Sequence, residues 1–431
     1  MGVGGAYIAS AEDIEGAAVN SAAPAVRDPY STSWFDYDLA IGISFPGAFT
    51  NSDFDNHGDN ANLPAGHASA GNFTDLTLGG QFQFGALGFS ATGDLQQFQI
   101  SAANAAALTL LVGRWKALAA YGLLGGQVVV GGGARIVTMQ VQQAGTGTVL
   151  TMTGAGPEVG ALVMPTGQRW RVGATARAPV SGGIFGSDSV TTTPAGVREV
   201  SGQVLPSSVV QPWEVEAGVA FQFGPRPINP GWDNPHDQEA ELRQELDRDR
   251  DKRALAYATD LALAPSSVRP EIALMQAASE RSLRAIEDDH MSDERDRLRA
   301  VRRARYGNWP REKILLLASV LATGPSDSAV SVEGFLDQRV ESVGQSVTYT
   351  PRMGLEGEPL DNRMVLRTGT YLEPSRYAGS APRQHFTFGA DVHLFPLTFW
   401  GLLPDADWKL GLFVDLAPRY QNAGFGIGNW H

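Results

Sequence analysis

The chain has 431 residues, no cysteine and a formal net charge of −13. The missing thiols exclude a disulfide-stapled fold and any thiolate metal site. The acidic balance, with no basic stripe interleaved with aromatics, argues against a nucleic-acid partner. That length admits two or three domains or one large barrel, and no stretch reaches the roughly 18 apolar residues of a spanning helix.

Residues 1–32 are rich in Gly and Ala and poor in strand formers, which predicts a compact plug or irregular lead. Residues 1–10 lack the basic start and apolar stretch of a secretory leader, so any leader is expected to lie outside this sequence. Strand grammar then begins: Phe35, Tyr37, Leu39, Ile41, Ile43 and Phe45 share one face, against Asp36, Asp38, Ala40, Gly42 and Ser44 on the other. A long polar connection, Pro46 to Asn72, leads to Leu76–Phe84, the tight turn Gly85-Ala86, and Leu87–Ala91. Residues 100–121 stay ambiguous between strand and short helix, because Ala102–Leu111 does not alternate. Alternation predicts further strands near 126–141, 154–164, 168–180 and 212–224.

Between Asn234-Pro235 and Gly307 the sequence turns charged and helical, with Asn234 as N-cap, Pro235 at the first helical position and Gly307 as a stop. Pro265 and Pro270 divide this block, and Ser292-Asp293-Glu294 reads as the restart of a third helix. It fits a solvated hairpin or a docking module for a partner. Strands resume near 312–323, 343–357, 362–374, 384–396, 406–418 and 421–431.

Strands of roughly 9–13 residues exceed the typical ~5–6 of soluble sheets and suit a tilted membrane crossing. So large an antiparallel set must close on itself to remove its edges. The expectation is all-β: a transmembrane antiparallel barrel of about fourteen strands, apolar outside and polar within. A plug would span 1–32, barrel wall 33–224 and 312–431, and a helical insertion 225–311. Long outer loops and short inner turns run the first strand outward, return both termini to the periplasm and put the insertion there too.

The polar face carries Arg169, Arg171 and Arg177, and later His385, Thr387, Asp391 and His393. Asp53, Asp55 and Asp59 offer oxygen ligands in an outer loop but lack the spacing of a calcium loop. Gly154, Gly156 and Gly160 imitate a nucleotide fingerprint, yet no helix follows. There is no G-x-S-x-G and no H-E-x-x-H, so an enzyme and a cofactor are not expected, although a wall hydrolase using the His385 face stays open. Trp34, Trp170, Trp213, Trp408 and Tyr371 near strand ends suggest an interfacial girdle.

Four motifs carry a family resemblance. Gly2-Val3-Gly4-Gly5-Ala6, followed by Glu12-Asp13 and Asn20, resembles the opening of the FadL family of outer-membrane transporters for hydrophobic compounds. Ser21-Ala22 and the late Pro24 depart from that family's Asn-Pro-Ala signature. Gly160-Ala161-Leu162 through Arg169–Thr175 is similar to its paired strands, as are Pro212 leading into Gly218–Phe221, and Gly354-Leu355-Glu356 with Leu366–Tyr371. The helical insertion and the ending at His431, where such barrels usually finish on an aromatic, also depart. The resemblance implies a bacterial outer-membrane barrel with an N-terminal hatch that includes Gly4, Gly5, Asp13 and Asn20. It implies a lumen in which Arg367 joins the polar set, and ligand leaving through a gap in the wall.

Three functions fit: passive uptake of small hydrophobic molecules through a hatch-gated lumen, a structural barrel anchoring a periplasmic or cell-surface complex through 235–307, and a nonselective porin. Lipid and a small hydrophobic ligand are the partners expected in the first case, and a periplasmic protein in the second.

Overall fold

The computed structural model describes the chain apart from residues 1, 28–30, 32, 48–52, 58–68, 102–107, 144–146, 187–190, 193, 195–197, 201–202, 205–207, 233, 328, 332–333, 335–339, 397–405 and 431. The chain divides into a barrel unit, Met1–Arg27, Asp36–Gly231 and Pro310–His431, and a helical unit, Asp28–Phe35 and Trp232–Trp309.

The first half of the barrel wall is β1 (Phe35–Ser44), β2 (Ser69–Phe84), β3 (Leu87–Ser101), β4 (Leu108–Leu123), β5 (Val128–Gln143), β6 (Gly147–Val163) and β7 (Trp170–Arg177). β8 (Val180–Gly186) continues β7 beyond Ala178-Pro179, and β9 (Thr191–Thr192), β10 (Arg198–Val200) and β11 (Gln203–Val204) form a separate small sheet. β12 (Ser208–Gln211) leads into β13 (Glu214–Phe223). The second half follows as β14 (Ile314–Thr323), β15 (Thr348–Leu360), β16 (Met364–Glu373), β17 (Arg383–His393), β18 (Trp408–Ala417) and β19 (Tyr420–Asn429).

Every wall strand pairs antiparallel with its neighbours. β7 joins β6 to β13, and β1 pairs with β19 in the register Ala40↔Gly428, which closes a fourteen-stranded ring. Period two decides which face is which. Along β13, Val215, Val219, Phe221 and Phe223 are exposed, whereas Glu216 between them is 1% exposed. Ile41, Phe82, Phe89, Phe388, Leu412 and Phe425 continue the exposed apolar belt, while Gln81, Glu158, Glu356 and His385 face inward. That arrangement inverts a water-soluble barrel and suits lipid. Ten residues at about 3.3 Å each, tilted, cover roughly the 25 Å apolar band of such barrels.

The ambiguous stretch is strand: β4 runs as a full wall member from Leu108, and 102–107 lie outside the described residues. β2, β3 and β6 are longer than the pattern suggested, at 15–17 residues. Their excess ends carry inward apolar side chains that obscure alternation: Phe73, Phe98 and Leu150 belong to one buried cluster with Leu110 and Val141. The girdle needs correction too. Trp34 and Trp170 are exposed, but Trp408 is buried, and Tyr371 turns inward to donate its hydroxyl to Asp415 and stack on His385.

In the helical unit, the Asn234 side chain accepts from the His236 amide and Pro235 opens α2 (Pro235–Leu263). α2 ends ahead of Pro265, and α3 (Arg269–Gly307) follows with Pro270 in its first turn. Leu242, Leu246 and Tyr257 on α2, and Leu283, Met291 and Leu298 on α3, recur at helical spacing and are half-buried. The third helix is not there: α3 runs unbroken through Ser292-Asp293-Glu294. A cap sequence does not end a helix by itself, and here Glu294 serves as an i,i+3 partner of Arg297 while Met291 and Leu298 keep one stripe.

Ion pairs stitch the hairpin. Glu287 accepts from Arg250 at 2.6 Å and from Arg253 at 2.5 Å, and Glu239 accepts from Arg295 at 3.1 Å. Partial desolvation opposes ionisation of Glu287, but the two guanidiniums outweigh it and hold the carboxyl below its usual 4.5. A depressed folded pKa gives stability that is complete above 4.5 and lost as pH falls through the folded value. The protection of amides across 235–307, relative to their intrinsic exchange rate at each pH, is therefore expected to fall on acidification below that point. Glu287→Gln should exchange faster at neutral pH and respond less to acid.

Candidate functional site: a hatch seated inside the barrel

Residues 2–27 fold inside the wall around α1 (Asp13–Ala17) and a single 3-10 turn, Ala23–Ala25. Wall glycines make the room. A Cβ on Gly88 would sit 1.8 Å from the Pro24 carbonyl oxygen, on Gly131 1.9 Å from that of Ser21, and on Gly173 2.2 Å from that of Ile8. Gly160 meets Asn20 and Gly369 meets Val3 in the same way, so successive strands offer backbone, not side chain, where the hatch passes. Two hatch glycines are needed for their own shape. Gly4 and Gly5 have φ of +63° and +74°, and a Cβ on Gly4 would stand 2.8 Å from the Thr370 amide nitrogen.

Polar ties fasten the hatch from all sides. Thr387 Oγ1 accepts from the Gly4 amide at 2.8 Å and donates to the Gly2 carbonyl at 2.9 Å. Asp38 accepts from the Ile14 amide at 2.6 Å, opposite Asp13, which itself takes a left-handed φ of 59°. Asn20, fully buried, donates to the carbonyls of Ile8 (3.0 Å) and Ala161 (3.3 Å) and accepts from the Ala22 amide (3.0 Å). Arg171 binds Glu12 and the Ile228 carbonyl, Arg177 donates to the Val19 carbonyl, and Lys409 pairs with Glu15 at 3.0 Å.

Above the hatch lies a cavity of about 570 Å³, bounded by Tyr7, Ile14 and Val19 of the hatch and by the wall. Its volume falls within the roughly 300–1,000 Å³ of small-molecule sites. One side carries the glycines Gly42, Gly411, Gly426 and Gly428 together with Phe413. The other is charged, but its charges are paired: Arg352 with Glu216 (2.9 Å), Arg367 with Asp391 (2.5 Å) and Arg114 with Asp94 (3.3 Å). Further along the lumen is the apolar cluster of β2 to β6, on which Phe54 from the first long loop stacks, 4.3 Å from Phe73.

The wall has one discontinuity of note. Pro157 on β6 stands opposite Ala178, and Pro179 stands opposite Pro212, so three adjacent strands each lack an N–H at one level. Arg135, on β5 and 4% exposed, fills the breach: its Nη2 donates to the Ala178 carbonyl at 2.6 Å and the Pro212 carbonyl at 3.1 Å, and its Nη1 to Glu214 at 3.4 Å.

Of the polar set read from sequence, Arg171, Arg177, Arg367, His385 and Asp391 face the lumen. Arg169 does not; it stands exposed in the turn before β7. His393 lies at the end of β17, stacked on Trp430 with Nδ1 2.7 Å from the Asn362 carbonyl, and not in mid-lumen. His385 is held by Asp415 (2.9 Å) and Glu373 (3.0 Å), while the Thr387 hydroxyl is committed to the hatch, so the two make no nucleophile–base pair. Asp53 and Asp55 do not converge on a cation site. Burial would raise Asp53, but hydrogen bonds from the His57 ring and amide hold it low, and burial pushes Asp55 up to about 6. Asp59 lies outside the described residues, among which no three carboxylates or histidines form a metal cluster. Arg135 and Glu158 went unnoticed in sequence, although strand parity alone puts each on the lumen face.

No family model and no curated protein matches the chain in sequence. Solved structures match it in fold. A Pseudomonas aeruginosa FadL homologue is 11% identical, with 99% of this chain and 96% of that chain covered at a TM-score of 0.50. The CymD monoaromatic hydrocarbon channel aligns at 10% identity over 99% and 96% with a TM-score of 0.48, and the P. putida toluene transporter TodX at 10% over 95% and 94% with 0.44. At such identities it is architecture that is shared, and the fold of this chain is that of a FadL-type barrel.

Proposed function

We propose that the protein is a passive channel of the bacterial outer membrane that takes up small hydrophobic molecules, fatty-acid or hydrocarbon-like, through a hatch-gated lumen. The observation that carries this reading is the hatch itself, seated in glycine notches beneath a ligand-sized cavity inside a wall with an apolar exterior. A plug fastened this way does not suit a nonselective porin. An apolar solute settling from the Phe54 cluster into the cavity would bias the hatch between seated and shifted states without any energy source. The proline seam at Pro157, Pro179 and Pro212 is the weakest rung of the wall, and we assign it as the gap through which solute leaves for the bilayer.

Liposome flux of a labelled fatty acid or aromatic hydrocarbon tests the gate. Asn20→Ala removes three hydrogen bonds from a fully buried side chain and strands their backbone partners, each costing about 1–3 kcal/mol. It should change flux severalfold; unchanged flux in Asn20→Ala and Asp13→Ala would sink gating by the hatch.

A second reading has its own observation. Leu255, Leu263, Leu274 and Met275 on the helical unit are each 67–81% exposed, which suits a periplasmic protein partner. Deleting 235–307 separates the two: a lost partner with intact uptake assigns scaffolding to the insertion, and lost uptake assigns it to transport.

A further inference from the structure

We propose that the cavity above the hatch takes a solute with a protonated amine head, its ammonium held by Asp75 and Ser44 and its short apolar body lying on a glycine floor that ends at Phe413. This deepens the uptake reading and rests on it. Nearly every charge around the cavity has its counterion: Glu15 has Lys409, Asp94 has Arg114, Glu214 has Arg135 and Arg177, Glu216 has Arg352 and Asp391 has Arg367. Lys116, the remaining cation, is taken by Glu158 at 3.6 Å. Asp75 is left over. It lines the same cavity, and among the described residues it has no ion pair and its Oδ1 has no hydrogen-bond partner. Asp94 lies close enough to repel it, so two carboxylates share the one guanidinium of Arg114.

A lumen carboxylate is most often served by water alone. Here strand pairing sets a second unserved oxygen beside it. Thr77 Oγ1 donates to the Gly42 carbonyl at 3.4 Å, and a Cβ on Gly80 would stand 3.2 Å from the Leu39 side chain, so β1 and β2 run antiparallel with Ser44 opposite Asp75. Opposed residues on one face hold their Cβ atoms about 4.5–5.5 Å apart. Ser44 is 3% exposed, lines the cavity, and has no hydrogen-bond partner for its hydroxyl among the described residues. An ammonium, with three donors and no acceptor, serves both oxygens at once, whereas a carboxylate head would meet Asp75 as a like charge. The floor follows from the same register. β19 sets Gly426 against Gly42 and Gly424 against Ser44, and β18 sets Gly411 and Phe413 against those two glycines. None of the nearest neighbours of Gly42, Gly411 or Gly426 belongs to the hatch, which leaves this stretch of wall clear. From Ser44 to Phe413 is two strand spacings, about 10 Å, the span of a six-carbon chain or a phenylethyl group.

Calorimetric titration of the purified protein in detergent with hexylamine, hexanol and hexanoate at neutral pH is the test, run beside liposome flux of the same solutes and of a labelled aromatic hydrocarbon. Hexylamine should bind about tenfold more tightly than hexanol, the difference between a charge-assisted and a neutral hydrogen bond, and hexanoate should bind weakest. Asp75→Asn keeps the shape of the side chain and should erase the preference for hexylamine. Ser44→Ala should lower amine affinity severalfold, and circular dichroism checks that both variants keep their strand content. Hexylamine binding that Asp75→Asn loses, in a protein that passes no solute, would keep the site and sink the uptake reading. Hydrocarbon flux in a protein that binds hexanol as tightly as hexylamine would keep the channel and overturn the site, since Asp75 would then be held neutral beside Asp94. Equal hexylamine binding by the folded parent and Asp75→Asn would overturn it as well.

Discussion

Gly88→Val is expected to unseat the hatch and turn a plugged barrel into an ion-conducting pore. The notch at Gly88 is the tightest of the set: the first carbon of any side chain would fall 1.8 Å from the Pro24 carbonyl oxygen and 2.2 Å from its carbon. Both neighbours are backbone and have no rotamer to yield, so the strain of overpacking, about 1–3 kcal/mol and more when backbone must move, falls on the hatch. The wall has far more to resist it with, since β3 is paired to β2 and β4 along its length. Gln83, whose amide donates to the Pro24 and Val26 carbonyls at 3.0 and 2.6 Å, would lose both partners at once. Planar-bilayer conductance should therefore rise from near baseline to a steady open level, with strand content unchanged. Gly183→Ala supplies the contrast. Nothing lies within 4 Å of its added carbon, and it should conduct like the parent. Equal conductance in Gly88→Val and Gly183→Ala, both inserted and folded, would refute the seated hatch.

These notches show where sequence reading reaches its limit. Alternation was legible because a strand buried on one face and in lipid on the other repeats every two residues, and that local signal sorted Val215 from Glu216 without any knowledge of neighbours. In the structure Arg171, Arg177 and Asp391 stand on the inner face. Arg169 and His393 stand elsewhere, because parity continues past the end of the strand although the wall does not. Alternation undersized β2, β3 and β6 because Phe73, Phe98 and Leu150 face an interior that is itself apolar there. The hatch contacts were out of reach for another reason. A wall glycine looks the same whether it relieves curvature or receives a carbonyl, and only the fold brings Gly160 to Asn20, 140 positions away by subtraction. Arg135 and Glu214 likewise sit on strands that are not neighbours. The helical block behaved oppositely: its caps at Asn234 and Pro235 were legible, but a cap-like triplet at Ser292 was overruled by a stripe that never lost phase.

Locking the proline seam should abolish uptake of apolar solutes while leaving the hatch in place. Because the chain has no cysteine, an engineered pair can form only the intended bridge. Val180 faces Gln211 across β8 and β12, and Thr153 faces Gly183 across β6 and β8, so the two pairs staple the two sides of the broken strand just beyond its prolines. Directly opposed residues in antiparallel strands place Cβ atoms about 4.5–5.5 Å apart, within reach of a disulfide after slight adjustment. Oxidised Val180→Cys/Gln211→Cys or Thr153→Cys/Gly183→Cys is expected to lose labelled hydrocarbon flux by an order of magnitude or more and to recover on reduction. Arg135→Gln should act in the opposite sense. Its shorter amide cannot span the Ala178 and Pro212 carbonyls, and two acceptors left without a donor cost about 1–3 kcal/mol each. Amide exchange at 180–183 and 208–211 should quicken, and apolar flux should rise while ion conductance stays low, because the breach opens sideways into lipid and not along the lumen. If both staples form fully and flux persists, solute leaves elsewhere. A flux that falls in the stapled protein but is indifferent to Arg135 would leave the exit in place and deny the guanidinium its role as the latch.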